Sequence, residues 1–440
     1  MLFQNAAVLD EDFSVVYDRF VWIDGPRIAY IGAAPPVLGT GAAAGSDSFG
    51  EVIDGGGLLL MPGFYNAHTH SPMSLLRGYG ENMQLSDWLE NRIFPFEDRL
   101  TGGDVYWATL LSMAESFAHG IISSSDMYYH CEDILRAACE SGAKMNISRG
   151  LSFFGEGFDL AAYGPYAESR KLYYENHGAA GGRIRVDMAL HAEFTSTPGL
   201  VRAAAALSAE TGAPVHVHVS ETKKEHEECK ARHGGLTPVA YLADGGIFEQ
   251  GGLAAHCVWI TEEDADILRE KGVTAATCPV SNLKLASGVM NAPMLLCRGV
   301  NIAIGTDGQA SNNSLNLFEE IKLFALLCKE RYGDPTLITP AQALYAATRA
   351  GALCQGRTDC GVLKAGNRAD ILVLDSRSPS LNPVHDAAGN LVYAASSADI
   401  RMTIIDGRTV YRDGAFPTVD MERILFETER SKSRILGELM

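Results

Sequence analysis

His68 and His70, in the run PGFYNAHTH, have the residue type and the spacing to do chemistry. The stretch before them, LLLMPGF, reads as a buried strand. Residues i and i+2 of a strand point to one face, so two imidazoles there can grip one metal ion. Three later pieces extend the set: PVHVHVSE (214–221), AAHCVW (254–259) and IAIGTDG (302–308). Each is a short apolar run reaching His or Asp. Apolar runs that end in polar ligands suggest parallel strands whose C-terminal ends share a site.

Each piece has a plainer alternative. A single HxH arises often by chance. His216 and His218 share a strand face, so one can be a ligand and the other a core histidine one layer deeper. Glu221 follows His218 by three residues, where its carboxylate can reach a water at the same ion, so His218 is the better ligand. His256 alone could be structural, and Asp307 in GTDG could be a turn residue. What favours chemistry is that every candidate falls where a strand of one barrel would end.

The elements that must position these residues follow from pattern. Strand-like runs (MPGFYN, HGIISSSDM, AKMNISRG, RIRVDMALHA, APVHVHVS, GGLAAHC, GVTAATCP, VNIAIGTD) alternate with helix-like stretches such as DVYWATLLSMAESFAHG and EEDADILREKG. This alternation predicts an α/β fold, a (β/α)8 TIM-like barrel over residues 61–359. Short β signals before residue 60 and over 360–420 are expected to pair into a small β-sandwich domain built from both chain ends. A C-terminal helix is expected over 421–440, and a small-residue loop at GTGAAAGSDS (39–48).

Composition narrows the class. With 440 residues and 47% hydrophobic content, the chain can bury a large core. Its net charge of −18 argues against nucleic acid or an anionic membrane as partner. The start, MLFQNAAVLDEDF, lacks a basic region and a signal-like core, which leads to the expectation of a cytoplasmic protein. The nine cysteines include no CxxC pair and read as reduced, mostly buried thiols.

Together, PGFYNAHTHSPMSLLRG (62–78), WLENRIFPFEDRLT (88–101), HVSE, HCVW, SNLKLASG (281–288) and GTDGQASNNSLNLFEE (305–320) resemble the amidohydrolase superfamily. Within it they are similar to the 5′-methylthioadenosine/S-adenosylhomocysteine deaminase group. The resemblance implies that His68, His70, His218 and Asp307 hold one divalent ion, zinc in the first place and Mn2+ or Fe2+ as alternatives. It implies Glu221 as general acid/base, His256 as the residue orienting water, and Asp307 as a second proton carrier. Trp88, Glu97, His191 and Ser311 then face a nucleoside, and Arg149 matches an arginine that receives a homocysteine tail. A second arginine expected about a dozen residues later is missing from LSFFGEGFDLAAYGPYAESRK (151–171), where Arg170 is the single arginine. Phe153, Phe154 and Phe158 offer apolar surface there, or pack on the rim. Methylthioadenosine or adenosine therefore ranks above S-adenosylhomocysteine.

The implied reaction is hydrolytic deamination of an adenine nucleoside, with water activated by the ion. The strand run RIRVDMALHAEF contains no lysine that could bridge two metals, which favours one ion. Other readings are a deaminase or dechlorinase of guanine, a pterin or an s-triazine, and an inactive barrel scaffold. Trp88 could pack on the barrel rim, and Glu97 could pair with Arg99 near a helix start. The expected partner is a small-molecule nucleoside or N-heterocycle, with a homo-oligomer left open.

Overall fold

The computed structural model describes residues 1–38 and 48–439. Residues 39–47 of the expected small-residue loop lie outside the described residues. The barrel strands are Phe64–Thr69, Ile121–Tyr128, Lys144–Arg149, a fourth in two pieces (Ile184–Val186 and Met188–Ala192), Val215–Val219, Gly252–His256, Val273–Thr277 and Ile302–Ile304. Neighbours pair in parallel from the first strand to the first piece of the fourth, and from its second piece to the eighth. Asp187 joins the two pieces, donating its N–H to Ile147 O at 3.1 Å. The ring closes where Thr306 and Asp307 donate their N–H groups to His68 O at 3.2 and 3.0 Å. The architecture is the (β/α)8 barrel that the alternation of runs predicts.

Helix starts are written locally. Thr101, Thr197, Thr222, Thr237 and Thr261 each accept a backbone N–H at the first turn of a helix that follows a barrel strand. In VHVHV, Val215, Val217 and Val219 pack in the main core while His216 and His218 take the other face.

Strands from both chain ends pair into one eight-stranded sheet. Leu58–Pro62 pairs antiparallel with Ile371–Asp375, Leu60 opposite Val373. LLLMP therefore belongs to this end sheet, and the barrel begins after Gly63 rather than within one continuous strand. One face of the sheet joins the barrel core through Leu59, Met61, Leu372 and Leu374. The other encloses a separate core of Phe3, Val8, Val21, Ile28, Leu60 and Val373. The helix Met421–Leu439 lies across the barrel helix Gly102–Ala118, where Arg434 meets Asp104 at 2.5 Å. No helix of the described residues is long and apolar enough to cross a membrane.

A buried charge cluster couples sheet to barrel. Lys144, on the third barrel strand, pairs with Asp370 and lies 2.7 Å from Asp406. Tyr65 donates to Asp370 at 2.6 Å. Burial pushes the Asp370 carboxyl up, yet the Lys144 charge and hydrogen bond hold it below its ordinary range. A carboxyl so depressed stabilises the fold above the ordinary carboxylate range and loses that contribution as pH falls through its folded value. Lys144→Met leaves the buried Asp370 carboxylate without its cation, a loss of about 3–5 kcal/mol. The expected result is a lower urea midpoint, partly restored by adding Asp370→Asn; an unchanged midpoint refutes the clamp.

Candidate active site

Strand ends bring His68, His70, His218, His256 and Asp307 to one point. His68 Nε2 and His70 Nε2 each lie 3.3 Å from Asp307 Oδ1. His218 Nε2 lies 3.3 Å from His70 Nε2. The possible ligand atoms of His68, His218 and His256 fall within 4.8 Å of one another, as do those of His68, His70 and Asp307. The second ring nitrogens are tied back. His70 Nδ1 donates to Met127 O, and His218 Nδ1 donates to His191 O, both at 2.6 Å. A carbonyl can only accept, so these bonds fix the tautomer and leave each Nε2 lone pair aimed inward. His68 Nδ1 lies 2.7 Å from His216 Nε2. His216 thus sits one layer below and orients His68. His68 Nε2 is buried and has no hydrogen-bond partner. Three imidazoles, one carboxylate and a buried nitrogen without a partner fit a divalent cation.

Electrostatics follow from burial. It lowers His68 and His191 to about 4 and holds His218 well below its ordinary value, so these rings are neutral near pH 7. Burial pushes the Asp307 carboxyl up, but the imidazoles of His68, His70 and His256 packed around it hold it well below its ordinary value. Asp307 Oδ2 also accepts Ser281 and Ser311, both at 2.7 Å.

Glu221 stands beside this centre, its Oε2 3.9 Å from His256 Nε2. Burial raises its pKa. Ser287 donates to its Oε1 at 3.3 Å, and the Glu225 carboxylate accepts its N–H at 2.7 Å. His256 Nδ1 donates to Asn282 Oδ1 at 2.9 Å. Ser220, His256 and Asp307 adopt φ of 49°, 70° and 61°, the left-handed region that non-glycine residues avoid. That strain turns the chain sharply where its strands end at the site. Gly305 permits a close approach: a Cβ there would stand 2.8 Å from His68 N.

The centre opens into a cavity of about 770 Å3, its mouth included. Trp88, Glu97, His191 and Ser311 all line it, with Leu89, Phe94 and Phe194 as apolar walls. Ser311 also braces Asp307. Trp88 and Glu97 come from the segment Leu85–Glu97, whose middle, Leu89–Ile93, is a π-turn. Such turns widen a helix and recur at functional sites. Glu97 forms no ion pair with Arg99 among the described residues. Its Oε1 is buried without a partner, and burial raises its pKa to about 7. Arg149 does not line this cavity; it faces an adjoining one. Phe154 lines that neighbour too, whereas Phe153 and Phe158 pack on each other and on Tyr163.

Some functional neighbours had no assigned role in the sequence reading. Ser281, Asn282 and Ser287 lie in SNLKLASG, whose text marks a family but not which atoms it touches. Glu225 was legible in principle, as the last residue of a T-x-x-E capping box. The Tyr128 hydroxyl, buried without a partner in the cavity wall, had no sequence signal.

The chain belongs to the amidohydrolase family, whose model matches residues 59–410. It is 42% identical over 388 residues to a 5-methylthioadenosine/S-adenosylhomocysteine deaminase of Pelotomaculum thermopropionicum, covering 88% of each chain. It is 39% identical to a 5′-deoxyadenosine deaminase of Methanothermobacter thermautotrophicus, covering 88% of this chain and 90% of the relative. In structure it is similar to a zinc-bound adenosine deaminase of Xanthomonas campestris, with TM-score 0.90, 28% identity and coverage of 99% and 98% of the two chains.

The buried Glu97 has a cost that can be measured. Its pKa of about 7 lies above the ordinary glutamate value of 4.5, so the folded state binds the extra proton. Stability therefore falls as pH rises between those two values. Glu97→Gln is expected to raise Tm over the wild type at pH 8 and to gain little at pH 4. An equal gain at both pH values refutes the assignment.

Proposed function

We propose that the protein is a metal-dependent deaminase that converts an adenine nucleoside to its inosine analogue and ammonia. The observation that carries this is the buried convergence of three imidazole Nε2 atoms and Asp307 beside Glu221, under a cavity that presents an unpartnered Glu97 oxygen. His68, His70, His218 and Asp307 would hold one divalent ion. Three nitrogens and one oxygen suit zinc, with manganese or iron as alternatives. The names of the relatives and the zinc-bound neighbour support this reading.

A divalent ion held there supplies Lewis acidity, lowering the pKa of a ligated water to roughly 7. Glu221 would take one proton from the attacking water and deliver it to the ring nitrogen next to the amine-bearing carbon. Its raised pKa suits both halves of that transfer. The water oxygen bonds to that carbon. His256, its Nδ1 proton fixed on Asn282, directs Nε2 at the attacking oxygen. The second water proton passes by way of Asp307 to the exocyclic nitrogen. The carbon–nitrogen bond then breaks and ammonia leaves.

Beside the centre, Trp88 and His191, whose ring lies 4.8 Å from that of His218, contact the purine. Glu97 accepts the ribose hydroxyls, and such charge-assisted bonds are worth about 1.5–3 kcal/mol each. In this reading the end domain (1–60 with 360–420), a small sandwich around its own core, supports the barrel (61–359) and performs none of the chemistry.

The test is a panel of adenosine, 5′-methylthioadenosine, 5′-deoxyadenosine and guanine, followed by ammonia release. The nucleosides are expected to turn over and guanine is not. Glu221→Gln should lower kcat about 10²- to 10⁴-fold with metal content unchanged. Near-normal turnover of that variant contradicts the mechanism.

A further inference from the structure

A second cavity adjoins the active-site cavity, and Phe94, Glu97, Tyr129 and Ser152 wall both. With ribose held at Glu97, this neighbouring space receives whatever the nucleoside carries on its 5′ carbon. One side of it is apolar. Phe154 packs on Phe94 with ring centroids 5.9 Å apart, and Leu172 continues the wall.

The other side is charged, and its cations are engaged. Arg149 Nε lies 2.8 Å from Glu168 Oε2. Arg149 also donates to Gly150 O at 2.6 Å, and its guanidinium lies over the Tyr129 ring at 5.0 Å. Lys171 lies 2.7 Å from Glu132 and 3.7 Å from Glu175. Asp98 and Asp133 add two more carboxylates to the wall. A carboxylate entering this space must displace Glu168 from Arg149 and then sit near other acids. A thioether meets no such opposition and gains contact with two phenylalanine rings.

We propose that Glu168 is a specificity-determining residue. By occupying Arg149 it makes the second cavity a subsite for neutral 5′ substituents, such as methylthio or hydrogen, and disfavours those that end in a carboxylate. The proposal rests on the adenine-nucleoside reading above. The pair joins the third barrel strand to the helix Gly164–Asn176. Arg149 is 14% exposed and Glu168 is 61% exposed, so solvent screens the pair and the effect is modest.

The experiment measures kcat/KM of the metal-loaded enzyme for 5′-methylthioadenosine, 5′-deoxyadenosine and S-adenosylhomocysteine. The wild type should prefer the first two. Glu168→Gln should raise the ratio of S-adenosylhomocysteine to 5′-methylthioadenosine about three- to fivefold, the range an exposed ion pair can supply. Adding Arg149→Ala to Glu168→Gln should remove that gain. A wild type that prefers S-adenosylhomocysteine overturns the proposal. So does a fall of the ratio in Glu168→Gln, which would place Glu168 on the ammonium of the tail, and so does an unchanged ratio, which would leave a rim ion pair only. Ammonia from none of the three compounds would instead remove the nucleoside reading itself, and the proposal with it.

Discussion

The site depends on keeping several buried imidazoles neutral around one ionised carboxylate. Burial lowers the His68 and His218 pKa values, so those rings stay uncharged while Asp307 stays ionised. Neutral rings keep a lone pair to offer. Each must then have its proton on the far nitrogen, which is why Met127 O, His191 O and His216 stand behind them. Those partners exist only if neighbouring strands end at the same level. The parallel barrel, the glycine at 305 and the left-handed turns at 220, 256 and 307 all serve that alignment.

The sequence carried the parts of this that are local. Alternation in VHVHV placed two histidines on one face, and the runs that end in His or Asp gave the strand ends of a barrel. Spacing could not decide between His216 and His218 alone; Glu221 downstream made that choice, and the structure puts His216 behind His68. Non-local features were illegible. LLLMPGF reads as one strand, yet its first half pairs with residues more than 300 positions away, because apolar runs look alike in either sheet. Glu97 carried two readings, a substrate contact and a pair with Arg99, and spacing could not separate them; the structure puts it in the cavity wall, after the π-turn. The neighbours of Arg149 follow from how a helix crosses a strand, which no spacing reports.

Stability and chemistry pull in opposite directions within the fold. Glu97, Glu225 and Glu320 are buried acids whose pKa values burial raises to about 7, 7 and 8. Each weakens the folded state at neutral pH. Glu225 fixes the Glu221 backbone, and Glu320 accepts the N–H of Val280 at 3.0 Å, just before Ser281 and Asn282. The offset comes from apolar packing and from the Lys144 cluster.

The central claim is that four residues hold one catalytic ion. It is tested most directly by stripping the protein with a chelator and titrating zinc back while following ammonia release from adenosine or 5′-methylthioadenosine. Activity should rise linearly and break at one ion per chain, with no break in His68→Ala or Asp307→Ala. Full activity in the stripped protein, or a break at two ions per chain, would contradict the account.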